Sequence, residues 1–214
     1  MSPRPSVRPW LLAEGFFWAF ALVALSAWAT LHLGNAADAR HELNRFAVLE
    51  AASQMSTGTP DQSLWSPARV KAWRAVVNDP SPAPLGVLRI PKLRLEAPLL
   101  EGSADATLDR GLGHIEDTAP LGMPGNAGIA GHRDGFFRVL KDIAEGDAIE
   151  LQTLAGRETY RVERIWIVEP DDVSVLDPTP SRSLTLVTCY PFYFVGSAPQ
   201  RFIVRAVSIG NTQP

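Results

Sequence analysis

From Leu85 onward the chain is written in short runs of alternating apolar and polar residues, and this pattern constrains the fold more than any other feature. The runs are GVLRI (86–90), LRLEAPLL (93–100), NAGIAG (126–131), DAIELQTL (147–154), ETYRVERIWIVE (158–169), SLTLVTC (183–189) and QRFIVRAVSI (200–209). Period-2 alternation places one face of each run in a core and the other in solvent, as half-buried strands require. Turn signals separate them, among them Glu145-Gly146-Asp147 and Gly156-Arg157. Many short strands with few long helical patterns predict an all-β domain closed, or nearly closed, into a barrel. One short helix is expected over Phe136–Ile143.

The first third of the chain reads differently. Gly15 to Leu33 contains no Asp, Glu, Lys or Arg. With Trp10 to Ala13 it is long enough for a hydrocarbon core of ~30 Å. Arg4 and Arg8 precede it, while Asp38, Arg40 and Glu42 behind it largely cancel. The positive flank predicts a cytoplasmic amino terminus (1–9), a single membrane helix (10–33) and everything later outside the cytoplasm. Cleavage at Ala27-Trp28-Ala29 is the competing reading, but the apolar stretch is longer than a signal-peptide core. A buried soluble helix is the third, and the absence of a polar face argues against it. Residues 36–55 are rich in helix formers, with a partial apolar stripe at Leu43, Phe46 and Leu49. A break follows at 56–60, then a short helix over 66–77 and a proline-rich linker at 78–84. The segment 34–83 is therefore expected as an extracytoplasmic stalk ahead of the barrel at 84–210, solvated along most of its length, with part of it packing on the domain as the alternative.

Charge and cysteine usage exclude several functions. Residues 82–214 carry 13 Lys and Arg against 17 Asp and Glu, so no basic footprint for nucleic acid is present. One cysteine and four scattered histidines rule out a disulfide framework and argue against structural zinc. Glu116, Asp117, Asp171, Asp172 and Asp177 are acidic loop residues whose spacing matches no calcium-ligand pattern, so no metal or other cofactor is expected.

The lone cysteine, Cys189, ends the run 184–189. A thiol with a pKa near ~8.5 is a weak nucleophile at neutral pH and needs a base or a positive neighbour. Outside the stalk and membrane segments the histidines are His114 and His132. His132, in Ala130-Gly131-His132-Arg133-Asp134, follows a strand-like run, and Gly131 is expected to let a substrate backbone approach. His114, in Gly111-Leu112-Gly113-His114, is expected in a loop. Local context favours His132, although either ring can simply cap a turn. Arg201 opens the run after Cys189, so if the two runs pair as a hairpin, Cys189 and Arg201 flank the same barrel mouth. An arginine there favours a thiolate and donates to an oxyanion; the bland alternative is a surface ion pair. Arg205 shares the strand face four residues deeper.

The segments GHRDGFF, TLVTCYPF and PQRFIVRA, in this order, resemble a sortase. VLRIPKL, LDRGLGHIEDTA and NAGIAGHRDGFF most resemble the class D sortases. The resemblance covers roughly residues 84–208 and implies a closed eight-stranded barrel in a membrane-anchored cysteine transpeptidase. It implies Cys189 as nucleophile, His132 as the essential histidine and Arg201 as the essential arginine, with Thr188, Asp134 and His114 on the substrate side. The implied partners are secreted or surface proteins with an LPxTG-like sorting signal, an amine acceptor at the cell envelope, and the membrane. Two rivals stand beside this reading: within enzymes, an extracytoplasmic cysteine peptidase that only hydrolyses; outside them, a membrane-tethered β-domain that binds a partner while Cys189 stays buried.

Overall fold

The computed structural model describes residues 9–54, 82–193 and 196–211. The expected helix at 66–77, the break at 56–60 and most of the 78–84 linker lie outside the described residues.

Eight strands follow the alternating runs: β1 (Gly86–Ile90), β2 (Leu95–Glu101), β3 (Leu112–His114), β4 (Asn126–Ala130), β5 (Ala148–Thr153), β6 (Gly156–Val168), β7 (Ser183–Tyr190) and β8 (Gln200–Asn211). They close into a barrel in the order β1-β2-β3-β4-β7-β8-β6-β5. Closure leaves no exposed strand edge. Most pairs are antiparallel; β2–β3 and β4–β7 are parallel. Seven strands fall on runs that the alternation marks. The eighth, β3, does not, because three residues that include Gly113 carry no period. His114 therefore ends a strand rather than lying in a loop.

Alternation sets the core. Ala127 and Ile129 of β4, Leu184 and Leu186 of β7, and Val204 and Ala206 of β8 point inward with Leu88, Ile149 and Leu151. The segment expected as a helix forms a 3-10 turn, Phe136–Asp142, whose Phe137 and Leu140 are fully buried. Phe137 also corrects a reading of Gly131. A Cβ there would lie 2.6 Å from the Phe137 ring and 2.9 Å from Leu112. The glycine makes room for the core, not for a substrate backbone.

Helix α1 (Pro9–Gln54) is continuous, but the chain divides into two compact units at Asp38/Ala39. In the first, Phe17, Trp18, Phe20, Leu22, Val23, Leu25 and Trp28 are all exposed. Among the described residues no helix is long and apolar enough to cross a membrane. The side chains of 10–16 and 30–33, which the expected span includes, lie outside those described.

In the second unit, the part of α1 from Ala39 to Glu50 packs on the barrel, while 55–81 of the expected stalk lies outside the described residues. Ala39 and Phe46 are buried, and so are Glu42 and Arg45. Glu42 lies 3.0 Å from Arg45 and also pairs with Arg110, in the turn before β3. Arg45 donates to the Pro82 carbonyl, and Gln152 of β5 donates to Glu50. An apolar stripe alone does not reveal this docking, because Glu42 and Arg45 carry part of it through ion pairs and hydrogen bonds.

Candidate active site

The hairpin anticipated for Cys189 is present. β7 and β8 pair antiparallel in register from Ser183↔Val207 to Tyr190↔Gln200, with Cys189 directly opposite Arg201. Leu184, Leu186 and Thr188 face inward, so Thr185, Val187 and Cys189 face outward with Arg201, Ile203 and Arg205. Cys189 is half-buried and makes no disulfide. Arg201 is half-buried too, its Nη1 directed to the carbonyls of Gln200 (3.2 Å) and Ala198 (3.4 Å).

On the other flank of β7, β4 runs parallel with Ala130 beside Val187. The Gly131 amide then donates to the Val187 carbonyl, and the Thr188 hydroxyl donates to the Gly131 carbonyl at 2.7 Å. His132 follows β4 two residues beyond Ala130, and Cys189 lies two residues beyond Val187 on β7. Three neighbouring strand ends thus bring histidine, cysteine and arginine to one rim of the barrel, in that order. The His132 side chain is 32% exposed, and its Nε2 lies 3.4 Å from Asp109 Oδ1.

The residues expected on the substrate side separate. Asp134 is exposed, two positions past His132. Thr188 is buried, its hydroxyl engaged within the wall. His114 is buried as well, between Glu101 (Nδ1, 3.1 Å) and the Ala119 carbonyl (Nε2, 3.0 Å).

The outer face of β4, β7 and β8 is roofed at its far end by the β6–β7 connection. There a 3-10 turn, Val173–Leu176, is capped by the Asp172 side chain, which accepts from the Ser174 amide. Its Val175 carbonyl accepts from Asn126 (3.2 Å) and from Arg205 (2.7 Å). Leu176 lies over Gly128, where a Cβ would come within 2.9 Å of it. Burial pulls the Arg205 guanidinium below its ordinary value; Glu163 opposes this and Arg164 adds to it. Arg205 thus holds the roof, while Arg201 stands at the rim.

Three side chains of this region lie within the quoted motifs but took no role from them. Arg133 donates to the carbonyls of Pro191 (3.3 Å) and Gly196 (2.6 Å), which ties the His132 loop to the β7–β8 connection. Asp109 faces His132, and Arg110 faces Glu42. Each partner is distant in the chain, and no local period announces it. Among the described residues no group of three or more His, Cys, Asp or Glu side chains is placed to hold a metal ion.

A closed barrel with a cysteine at a strand end, between an arginine and a histidine, defines a thiol-bearing site on an all-β scaffold. The family model described as the sortase domain matches residues 88–209, and the chain belongs to the sortase family, whose members are cysteine transpeptidases. It is 38% identical over 120 residues to sortase D of Bacillus subtilis, across 56% of this chain and 61% of that protein. It is 39% identical over 124 residues to sortase SrtE1 of Streptomyces coelicolor, across 49% of this chain and 35% of that one. The matches thus span less than two thirds of either relative. Among solved structures, a sortase D5 transpeptidase of Clostridium perfringens superposes with a TM-score of 0.55 at 28% identity, over 70% of this chain and 92% of that one. The motif likeness to class D sortases agrees with the match to sortase D.

Proposed function

We propose that this protein is a membrane-anchored cysteine transpeptidase that joins proteins bearing an LPxTG-like sorting signal to an amine acceptor at the cell envelope. The observation that carries the reading is Cys189 paired opposite Arg201, with β4, the strand that precedes His132, parallel beside β7. A peptide in extended form lies along the outer face of β4 and β7, walled by the 173–176 turn. The Cys189 thiolate attacks the carbonyl after the motif threonine, and Arg201 turns from its carbonyl partners to the oxyanion or the peptide. The tetrahedral intermediate expels the amine, which takes its proton from the His132 imidazolium, and a thioacyl enzyme remains. The acceptor amine then attacks the thioester and gives its proton to neutral His132, and the Cys189 thiolate departs. Each cycle exchanges one amide for another and returns both side chains to their starting states.

Asp134 is the member of the expected substrate set with an exposed side chain at the rim. Thr188 and His114 are engaged within the barrel wall and serve its structure. The anchor rests on the charge-free sequence 15–33 and on the seven large apolar side chains exposed within 17–28. It puts the amino terminus in the cytoplasm and the barrel outside.

The test is incubation with labelled LPxTG and LPxTA peptides and a panel of amines, followed by mass spectrometry for a thioacyl adduct on Cys189 and for the transfer product. An adduct that resolves to a new amide supports transpeptidation. Water as the sole acceptor across the panel supports a hydrolytic peptidase instead. A thiol that stays inert until the barrel is denatured supports a binding domain.

A further inference from the structure

Asp109 and Arg110 are neighbours in the short turn between helix α2 (Asp105–Leu108) and β3. The turn is held from several sides. The Asp109 amide donates to Asp105 at 2.9 Å, and the Gly111 amide donates to Thr107 at 3.1 Å. Gly111 is pressed on β2, where a Cβ would lie 2.6 Å from the Pro98 carbonyl oxygen. From this turn the two side chains reach different partners. Arg110 pairs with Glu42 of α1, a carboxylate 1% exposed that also holds Arg45. Asp109 reaches Nε2 of His132 at 3.4 Å.

An ionised carboxylate only accepts, so the nitrogen that faces it favours carrying a proton. Among the described residues neither ring nitrogen of His132 makes a hydrogen bond, so this ion pair is the contact that distinguishes Nε2 from Nδ1. We propose that Asp109 is a positioning residue for His132, keeping the ring proton on Nε2 and leaving Nδ1 to exchange protons with the amine, and that the Glu42–Arg110 pair of α1 holds the Asp109 turn in place. A half-exposed ion pair contributes little to stability, so its effect lies in which nitrogen reacts and where it points. The kinetic side of this inference rests on the transpeptidase reading; the tautomer side does not.

The experiment uses the full chain in two readouts. In protein labelled with nitrogen-15 histidine, the neutral His132 ring is expected as the Nε2–H tautomer, and Asp109→Asn is expected to erase that preference. A dominant Nδ1–H tautomer in the wild type, or an unchanged one in the variant, overturns the proposal. With quenched LPxTG peptide and hydroxylamine, Asp109→Asn is expected to lower kcat about 10- to 100-fold with KM nearly unchanged, and Asp109→Glu to restore part of it. Arg110→Ala, at a half-exposed site, is expected to lower kcat about threefold to tenfold alone and to add nothing in the Asp109→Asn background. An unchanged kcat in Asp109→Asn, or effects that multiply, overturns it while loss of turnover in Cys189→Ala leaves the enzyme reading standing. If the wild type turns over no peptide, the proposed function fails, and the tautomer readout still decides the role of Asp109.

Discussion

His114 and His132 start from nearly the same local sequence, Gly113-His114 and Gly131-His132, on strands that pair side by side with Gly113 opposite Ala130. They end in opposite surroundings. His114 is buried, with both ring nitrogens engaged by Glu101, Ala119 and Thr118. His132 lies past the last paired residue of β4, a third exposed, with one ion-pair contact. The difference teaches that a histidine becomes available for chemistry by having few partners. A ring whose hydrogen-bonding capacity is spent inside the wall holds structure, and a ring beyond the strand end has capacity left for a substrate.

The sharpest way to break that contrast is to remove the groups one at a time. Cys189→Ala is expected to abolish turnover and thioacyl trapping; residual activity in that variant would falsify the thiol mechanism. His132→Ala should lower kcat by about 10²- to 10⁴-fold, the range of a positioned general acid. In steady-state assays His114→Ala should leave kcat close to wild type, and equal losses at the two histidines would erase the distinction between them. Arg201→Ala comes next, with about 10²- to 10³-fold lost from kcat if its guanidinium meets the oxyanion. A rise confined to KM would assign Arg201 to peptide binding instead. The stability of His114→Ala then sharpens the other half of the contrast. Chemical denaturation should show a loss of about 1–3 kcal/mol, because the partners of the ring are left unpaired.

The smallest effect concerns a buried polar group of the same kind as His114. The Tyr160 hydroxyl donates to Glu158 at 2.8 Å inside the barrel. Burial first, and the Glu158 carboxylate second, push its ionisation well above the ordinary tyrosine value. The folded state therefore keeps a proton that the unfolded chain releases. Its contribution is complete below roughly pH 10 and is lost as pH climbs beyond that toward the folded value. Alkaline unfolding of Tyr160→Phe should show a shallower fall of stability with pH above that point, and an identical slope would remove Tyr160 from the account.

Much of the barrel was legible because strand patterning is local. Seven runs reveal themselves by alternation, and the short connection between Cys189 and Arg201 leaves their strands little choice but a hairpin. β3 was invisible for the same reason: three residues, one of them glycine, have no period to read. Which part of the stalk packs on the barrel was not legible, because α1 docks through Glu42 and Arg45, residue types that a hydrophobic stripe does not count. Gly131 was read as an opening for substrate, whereas Phe137, six residues later, fills the space.

By itself the sequence determined an all-β domain, a charge-free segment ahead of it, and a lone cysteine placed to face an arginine across two strands. These follow from side-chain period and chain connectivity, which act over a few residues. Only the tertiary structure decided which histidine stays accessible, that β4 lies parallel to β7 so that His132 and Cys189 follow neighbouring strands at the same end, and that Asp109 and Glu42 approach partners far along the chain. Barrel closure sets those distances, and closure depends on how all eight strands share one core, which no single segment encodes.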